Sequence, residues 1–198
     1  MKKEKRDLMT KQEKIEKLDF KLQKYIDNKS FIKIFRTVFD DEENIYGFLL
    51  EMSNDFIFIQ DTYDFMFDGY AIIRKDDFDR IRHSSYERTQ RKIFKAEKLL
   101  TQGYGFDGYL PLTNWKDILE TLKEYDFHVI IENINEDYLD FWIGEIVRVT
   151  NENVEIHNYN PNGLLDEEPK SISFDSISIL KFGDKYSTTF RKYIKRRK

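Results

Sequence analysis

The residues able to bind a metal or move a proton are scattered along this chain. The three histidines are His83, His128 and His157. Zinc sites need ligands brought together, and spacings such as HxH or HxxxH do that within one strand or helix. Neither spacing occurs here. His128 lies in the apolar run DFHVII and is expected to be a strand residue with a satisfied ring. The string Asp40-Asp41-Glu42-Glu43 could collect a hard cation. It lies between two strand-like runs, however, and reads as a solvated hairpin loop. Asp61, Asp64 and Asp68 lack the spacing of a calcium loop.

Nucleophilic and phosphate-binding chemistry finds no better footing. There is no GxSxG and no GxxxxGK, and the GxGxxG spacing occurs only at Gly103, Gly105 and Gly108, so neither a nucleophile elbow nor a phosphate cradle is encoded in its usual context. GYGFDGY carries Gly103, Gly105 and Gly108 but follows no strand, and reads as a connector. The chain has no cysteine, which removes disulfides and thiolate chemistry and fits a reducing compartment. Acid pairs are expected in a chain that is 35% charged, and none stands out as general acid and base. The reading is of a protein that is not an enzyme and needs no metal or cofactor.

Charge separates the ends from the body. The net charge is −4. Residues 1–29 carry +4 and residues 185–198 carry +7, which leaves −15 for the stretch between. An acidic body repels phosphate backbones, so nucleic acid would have to use the ends. Arg191, Lys192, Lys195, Arg196, Arg197 and Lys198 could neutralise phosphates, and Tyr186 or Tyr193 could stack on a base. The basic start, MKKEKRDLMTKQEKIEK, is followed by no apolar stretch, so no signal peptide is expected. No apolar run approaches ~18 residues, so no membrane span is expected. The expected location is the cytoplasm.

Behind these residues lies an internal repeat. The two copies of Phe-Asp-Gly-Tyr (Phe67 to Tyr70 and Phe106 to Tyr109) do not carry it, because their neighbours differ. Asp68-Gly69 reads as a hairpin or strand entry, and Asp107-Gly108 as a loop. A different offset works. GFLLEMSNDFIFIQD (Gly47 to Asp61) lies without a gap over GEIVRVTNENVEIHN (Gly144 to Asn158), and YERTQRKIFK (Tyr86 to Lys95) lies over YSTTFRKYIK (Tyr186 to Lys195). Five of the latter ten positions are identical. Two matched blocks in the same order point to a duplicated unit.

Each copy reads as five short strands. The first has FIKIFRTV, IYGFLLEM, DFIFIQ, GYAIIR and DDFDRIR. The second has FHVIIEN, FWIGEIVRV, NVEIHNY, SISF and SISIL. The apolar spacing of Tyr86, Ile93, Phe94 and Leu100, and of Tyr186, Phe190 and Ile194, adds a trailing helix to each. Leu8, Ile15, Leu18, Leu22 and Tyr25 give the first copy a leading helix. Asn114 can cap another in NWKDILETLKEY. This arrangement, with a Gly in the second strand, resembles the Sm-like and related SH3-like small β-barrels. The resemblance covers about 30–100 and 113–195, and implies nucleic-acid binding or protein assembly. The expected fold class is α+β, mainly β, as two tandem five-stranded barrels or strongly bent sheets. The segments are an N-terminal helix at 1–29, a first barrel at 30–100, a connector at 101–112 and a second barrel at 113–198.

The repeat also exposes an asymmetry. With a turn at Ser53-Asn54, Leu50 would pair with Ile57 and Leu49 with Phe58. One face would hold Leu50, Met52, Ile57 and Ile59, all apolar in both copies. The other would hold Leu49, Phe56 and Phe58, where the second copy has Ile146, Asn153 and Glu155. Two phenylalanines on an outer face call for a cover, either a helix or the other copy, or a partner chain. Leu49, Phe56 and Phe58 are therefore candidates for a protein interface. The function expected is binding or assembly through protein contacts, with a protein partner or a homo-oligomer. Nucleic-acid binding through the basic ends is the alternative.

Overall fold

The computed structural model describes residues 10–134 and 139–195; Leu8, Arg196, Arg197 and Lys198 lie outside the described residues. Helix α1 (Lys11–Asp27) leads into β1 (Phe31–Val38), β2 (Asp41–Met52), β3 (Phe56–Tyr63), β4 (Met66–Arg74) and β5 (Arg80–Arg82). Helices α2 (Ser85–Ala96), α3 (Leu99–Gln102) and α4 (Trp115–Glu124) follow. The chain ends in β6 (His128–Ile134), β7 (Leu139–Val149), β8 (Asn153–Asn158), β9 (Lys170–Ser173), β10 (Ile177–Phe182) and α5 (Lys185–Phe190). The fold is α+β and mainly β.

All ten strands form one open antiparallel sheet, in the order β5-β1-β2-β3-β4-β10-β6-β7-β8-β9. The first five and the second five strands run in the same internal order. They are joined where β4 meets β10, with Ile73 opposite Ile179, Ile72 opposite Leu180 and Tyr70 opposite Phe182. Two apolar strand edges, each costly to leave unpaired, thus become one continuous sheet. The expected pair of tandem barrels is not confirmed, since the strands share one sheet.

The sheet is strongly curled. In a flat sheet β1 and β6 would stand roughly 24 Å apart, five strand spacings. Yet Arg36 on β1 donates from Nη2 to Glu132 on β6 at 2.7 Å and from Nη1 to Ser178 on β10 at 3.2 Å. Curling gives each half its own inner face. Leu18, Leu22 and Tyr25 of α1 cover Ile32, Ile34, Leu49, Ile57 and Ile59. Trp115, Ile118, Leu119 and Leu122 of α4 cover Val129, Ile131, Ile146, Val154 and Ile156. Helix α4 is capped as its sequence suggested, Asp117 donating its backbone N–H to Asn114 Oδ1 at 2.9 Å.

Gly47 and Gly144 occupy the same place in β2 and β7, opposite Asp61 and Asn158. A Cβ at Gly47 would lie 2.2 Å from the Gln60 carbonyl oxygen, and one at Gly144 2.1 Å from that of His157. Both glycines are therefore fixed by the close approach of the next strand. Beyond each glycine the ladder slips, between Leu49 and Glu51 in one half and between Ile146 and Arg148 in the other.

That slip corrects the sequence register. Met52 pairs with Ile57 and Glu51 with Phe58, and Leu49 pairs with Ile59 across the bulge. Leu49 and Leu50 therefore exchange faces: Leu49 joins Ile57 and Ile59, and Leu50 joins Phe56 and Phe58. A bulge puts one unpaired residue in a strand and inverts the alternation beyond it. The β3–β4 turn falls at Asp64-Phe65, both at positive φ, and Asp68-Gly69 takes the strand-entry alternative near the start of β4, with Gly69 at φ 78°.

Candidate functional site

Phe56 and Phe58 are 4% and 2% exposed. Their cover is the segment that follows α3, together with α4 and the second half of the sheet. Trp115 meets Phe56 edge-on, with ring centroids 4.8 Å apart. Phe58 lies 5.6 Å from both Tyr70 and Phe106, and 6.1 Å from Phe182. Leu110 and Leu112 complete the layer. Leu49 is fully buried on the opposite face beneath α1. All three candidates are thus core residues of this chain. The aligned surface of the second half carries Val147, Asn153, Glu155 and Ser171.

The cover over Phe56 is incomplete, and the gap is a cavity of about 510 Å³ between the two halves. Ile15, Leu18 and Asp19 of α1 form one wall, and the β2–β3 turn at Asn54-Asp55 another. Phe56, Trp115 and Phe174 give it aromatic surface. Arg74, Lys75 and Asp76 close the far side, with Thr113 and Asn114 at the start of α4. The charges are largely spoken for. Lys75 Nζ lies 2.5 Å from Asp19 Oδ1. Arg74 donates to the Phe174 carbonyl, and its guanidinium lies 5.8 Å from the Trp115 ring centroid. The Trp115 indole N–H is different: it is buried and has no acceptor among the described residues. Sequence reading missed this site because its walls come from five separated segments. The Trp directly after the Asn114 cap was the one local hint.

The basic candidates divide. Arg191 donates to the Asp126 carbonyl at 2.6 Å and to its carboxylate at 2.5 Å. Its aligned partner Arg91 donates to the Lys29 and Asn28 carbonyls at 2.8 and 2.9 Å. Lys29 and Asp126 both have positive φ just after α1 and α4. The repeated Arg therefore ties the trailing helix to the end of the leading one and satisfies its free carbonyls. Lys192 and Lys195 are exposed. Arg196 and Arg197 lie outside the described residues.

The acids and histidines hold structural posts. Asp184 Oδ1 accepts the Ser187 N–H of α5 at 2.7 Å, and Asp68 Oδ1 accepts that of Lys185 at 2.8 Å. His83 Nδ1 lies 2.8 Å from the Phe31 carbonyl and His157 Nε2 2.9 Å from that of Asp166. His128 departs from expectation: its Nδ1 is buried without a partner. Burial, then Arg191, push its pKa down and hold the ring neutral. Among the described residues no three His, Asp or Glu side chains group closely enough to hold a metal ion. Among the same residues no helix is long and apolar enough to cross a membrane.

Asp61 on β3 is half-buried, with Oδ1 accepting the Thr62 N–H at 2.8 Å. Burial pushes its pKa up from 3.8 to about 6, against the pull of Lys181, with Asp68 and Asp184 adding to the rise. Between those values the folded chain keeps a proton that the unfolded chain has lost. Stability should therefore fall as pH rises from 3.8 to about 6. Asp61→Asn, which copies the aligned Asn158, should remove that fall. Urea midpoints across the window check it, and identical pH profiles for the two proteins would refute it.

Compared with protein-family models, curated proteins and solved structures, the chain has no match in any of the three.

Proposed function

We propose that this chain is a non-catalytic binding module built from two copies of one small β unit, and that the cavity between them receives an apolar side chain of a protein partner. The duplication is supported by the shared strand order, the paired glycines and bulges, and the paired Arg91 and Arg191 clamps. The observation that carries the binding reading is the cavity itself. It has aromatic walls and a polar rim. Such sites combine apolar area with a few fixed polar groups that set orientation.

The test is a displayed random-peptide library selected on the parent protein. Selected peptides should carry a bulky apolar residue. They should lose about ten-fold or more in affinity to Ile15→Trp, which fills the cavity from α1, because a buried side chain of that class is worth ~1.5–3 kcal/mol. Peptides indifferent to the filled cavity would overturn the reading. The second reading, nucleic-acid binding at the basic end, rests on exposed Lys192, Tyr193 and Lys195. Low-salt oligonucleotide binding that Lys192→Glu with Lys195→Glu abolishes would favour it instead.

A further inference from the structure

A second cavity, of about 300 Å³, shares no lining residue with the first. It lies between the β3–β4 hairpin tip and α2. Six of its nine lining residues are aromatic: Phe31, Tyr46, Tyr63, Phe65, Tyr86 and Phe94. The other three are Thr62, Asp64 and Gln90, so the lining holds one acid and no base. Phe31 and Phe94 form a buried floor, with ring centroids 5.7 Å apart. Tyr63, Phe65 and Tyr86 form an exposed rim, and none of these three rings packs on another ring among the described residues.

The turn at the rim has a strained backbone. Asp64 and Phe65 have φ of 42° and 62°. Two-residue hairpin turns of this kind favour Asn-Gly, and a bulky residue in the left-handed region is a strained exception. Strain of this sort is tolerated where the position of a side chain matters.

The second half shows what a filled version looks like. Its aligned residue for Gln90 is Phe190, which stacks on Tyr159 at 5.2 Å and on Tyr186, the counterpart of Tyr86, at 5.1 Å. The first half has a shorter side chain there and leaves the space open.

We propose that this aromatic cage binds an alkylammonium cation, either a small quaternary ammonium compound or a lysine side chain, plain or methylated. Ring faces attract a cation through their quadrupole, best where water is excluded. Asp64 is the one acid of the lining and no lining residue is basic; Lys33 Nζ lies 5.1 Å from the Tyr46 ring centroid, so the other rings are the ones free to take a cation.

Choline and its uncharged isostere, 3,3-dimethyl-1-butanol, separate charge from shape. Each is titrated into the full chain, following the ring protons by NMR. Choline should bind at least about ten-fold more tightly than the alcohol. Capped peptides carrying lysine or trimethyllysine form the second arm. Tighter binding of a peptide than of choline identifies a side-chain reader, and the reverse identifies a small-molecule site; either supports the cage. Gln90→Phe, which copies the second half, should abolish binding. Tyr63→Ala, at an exposed rim position, should weaken it while leaving the circular-dichroism spectrum unchanged. Equal binding of choline and the alcohol would reduce the cage to a plain apolar pocket. No binding of any cation, or full binding by both variants, would overturn the proposal.

Discussion

Phe56→Asn combined with Phe58→Glu is expected to leave the chain largely unfolded at 25 °C. The change installs the residues that the second half carries at the aligned positions, so it is tolerated by the strand itself. It fails because of what lies above the strand. Phe56 and Phe58 sit under Trp115, Phe106, Leu110 and Leu112 at 4% and 2% exposure. Each lost side chain removes ~1.5–3 kcal/mol of burial. Truncating a core Phe costs about 3–5 kcal/mol once the cavity is counted. Placing a carboxylate in that layer adds a desolvation cost on top. The sum reaches the ~5–15 kcal/mol that holds a typical domain folded. Loss of the urea transition, read by circular dichroism, checks it. A parent-like midpoint would mean that the layer formed by α4 and the segment before it does not seal the first half.

Arg36→Ala is expected to cost about 3–5 kcal/mol, the range for breaking a buried ion pair from one side. Arg36 is 1% exposed and joins Glu43 at 2.8 Å, Glu132 at 2.7 Å and Ser178 at 3.2 Å. It is the strut across the curl, linking the first half to β6 and β10. Its removal strands Glu132 with Lys181, 3.2 Å from its other oxygen, as the remaining ion-pair partner. Arg36→Met with Glu132→Leu removes both charges and should recover much of the loss, since apolar replacements of buried pairs are often neutral. Equal losses in the single and double variants would show that the curl depends on the guanidinium geometry rather than on charge balance. A single variant within about 0.5 kcal/mol of the parent, the usual range for surface changes, would refute the strut.

Local signals in the sequence determined a good part of this molecule. Alternating apolar residues placed the strands, because a half-buried strand must alternate. Asn114 marked the start of α4, because a free N–H there needs an oxygen. Gly47 and Gly144 aligned because in both places the next strand comes too close for a Cβ. The face of Phe56 and Phe58 opposite Ile57 and Ile59 also followed from alternation within β3. What the sequence could not decide are the contacts between distant segments. Leu49 and Leu50 are both apolar, so no pattern reveals the bulge that exchanges them. The basic Arg191 looked like a surface charge, and only the return of the chain to Asp126 turns it into a clamp. The merger of β4 with β10, the curl spanned by Arg36 and the cavity facing Trp115 all depend on pairing across about a hundred residues. Such contacts depend on shape and burial, which have no period in the chain and exist only once it has folded.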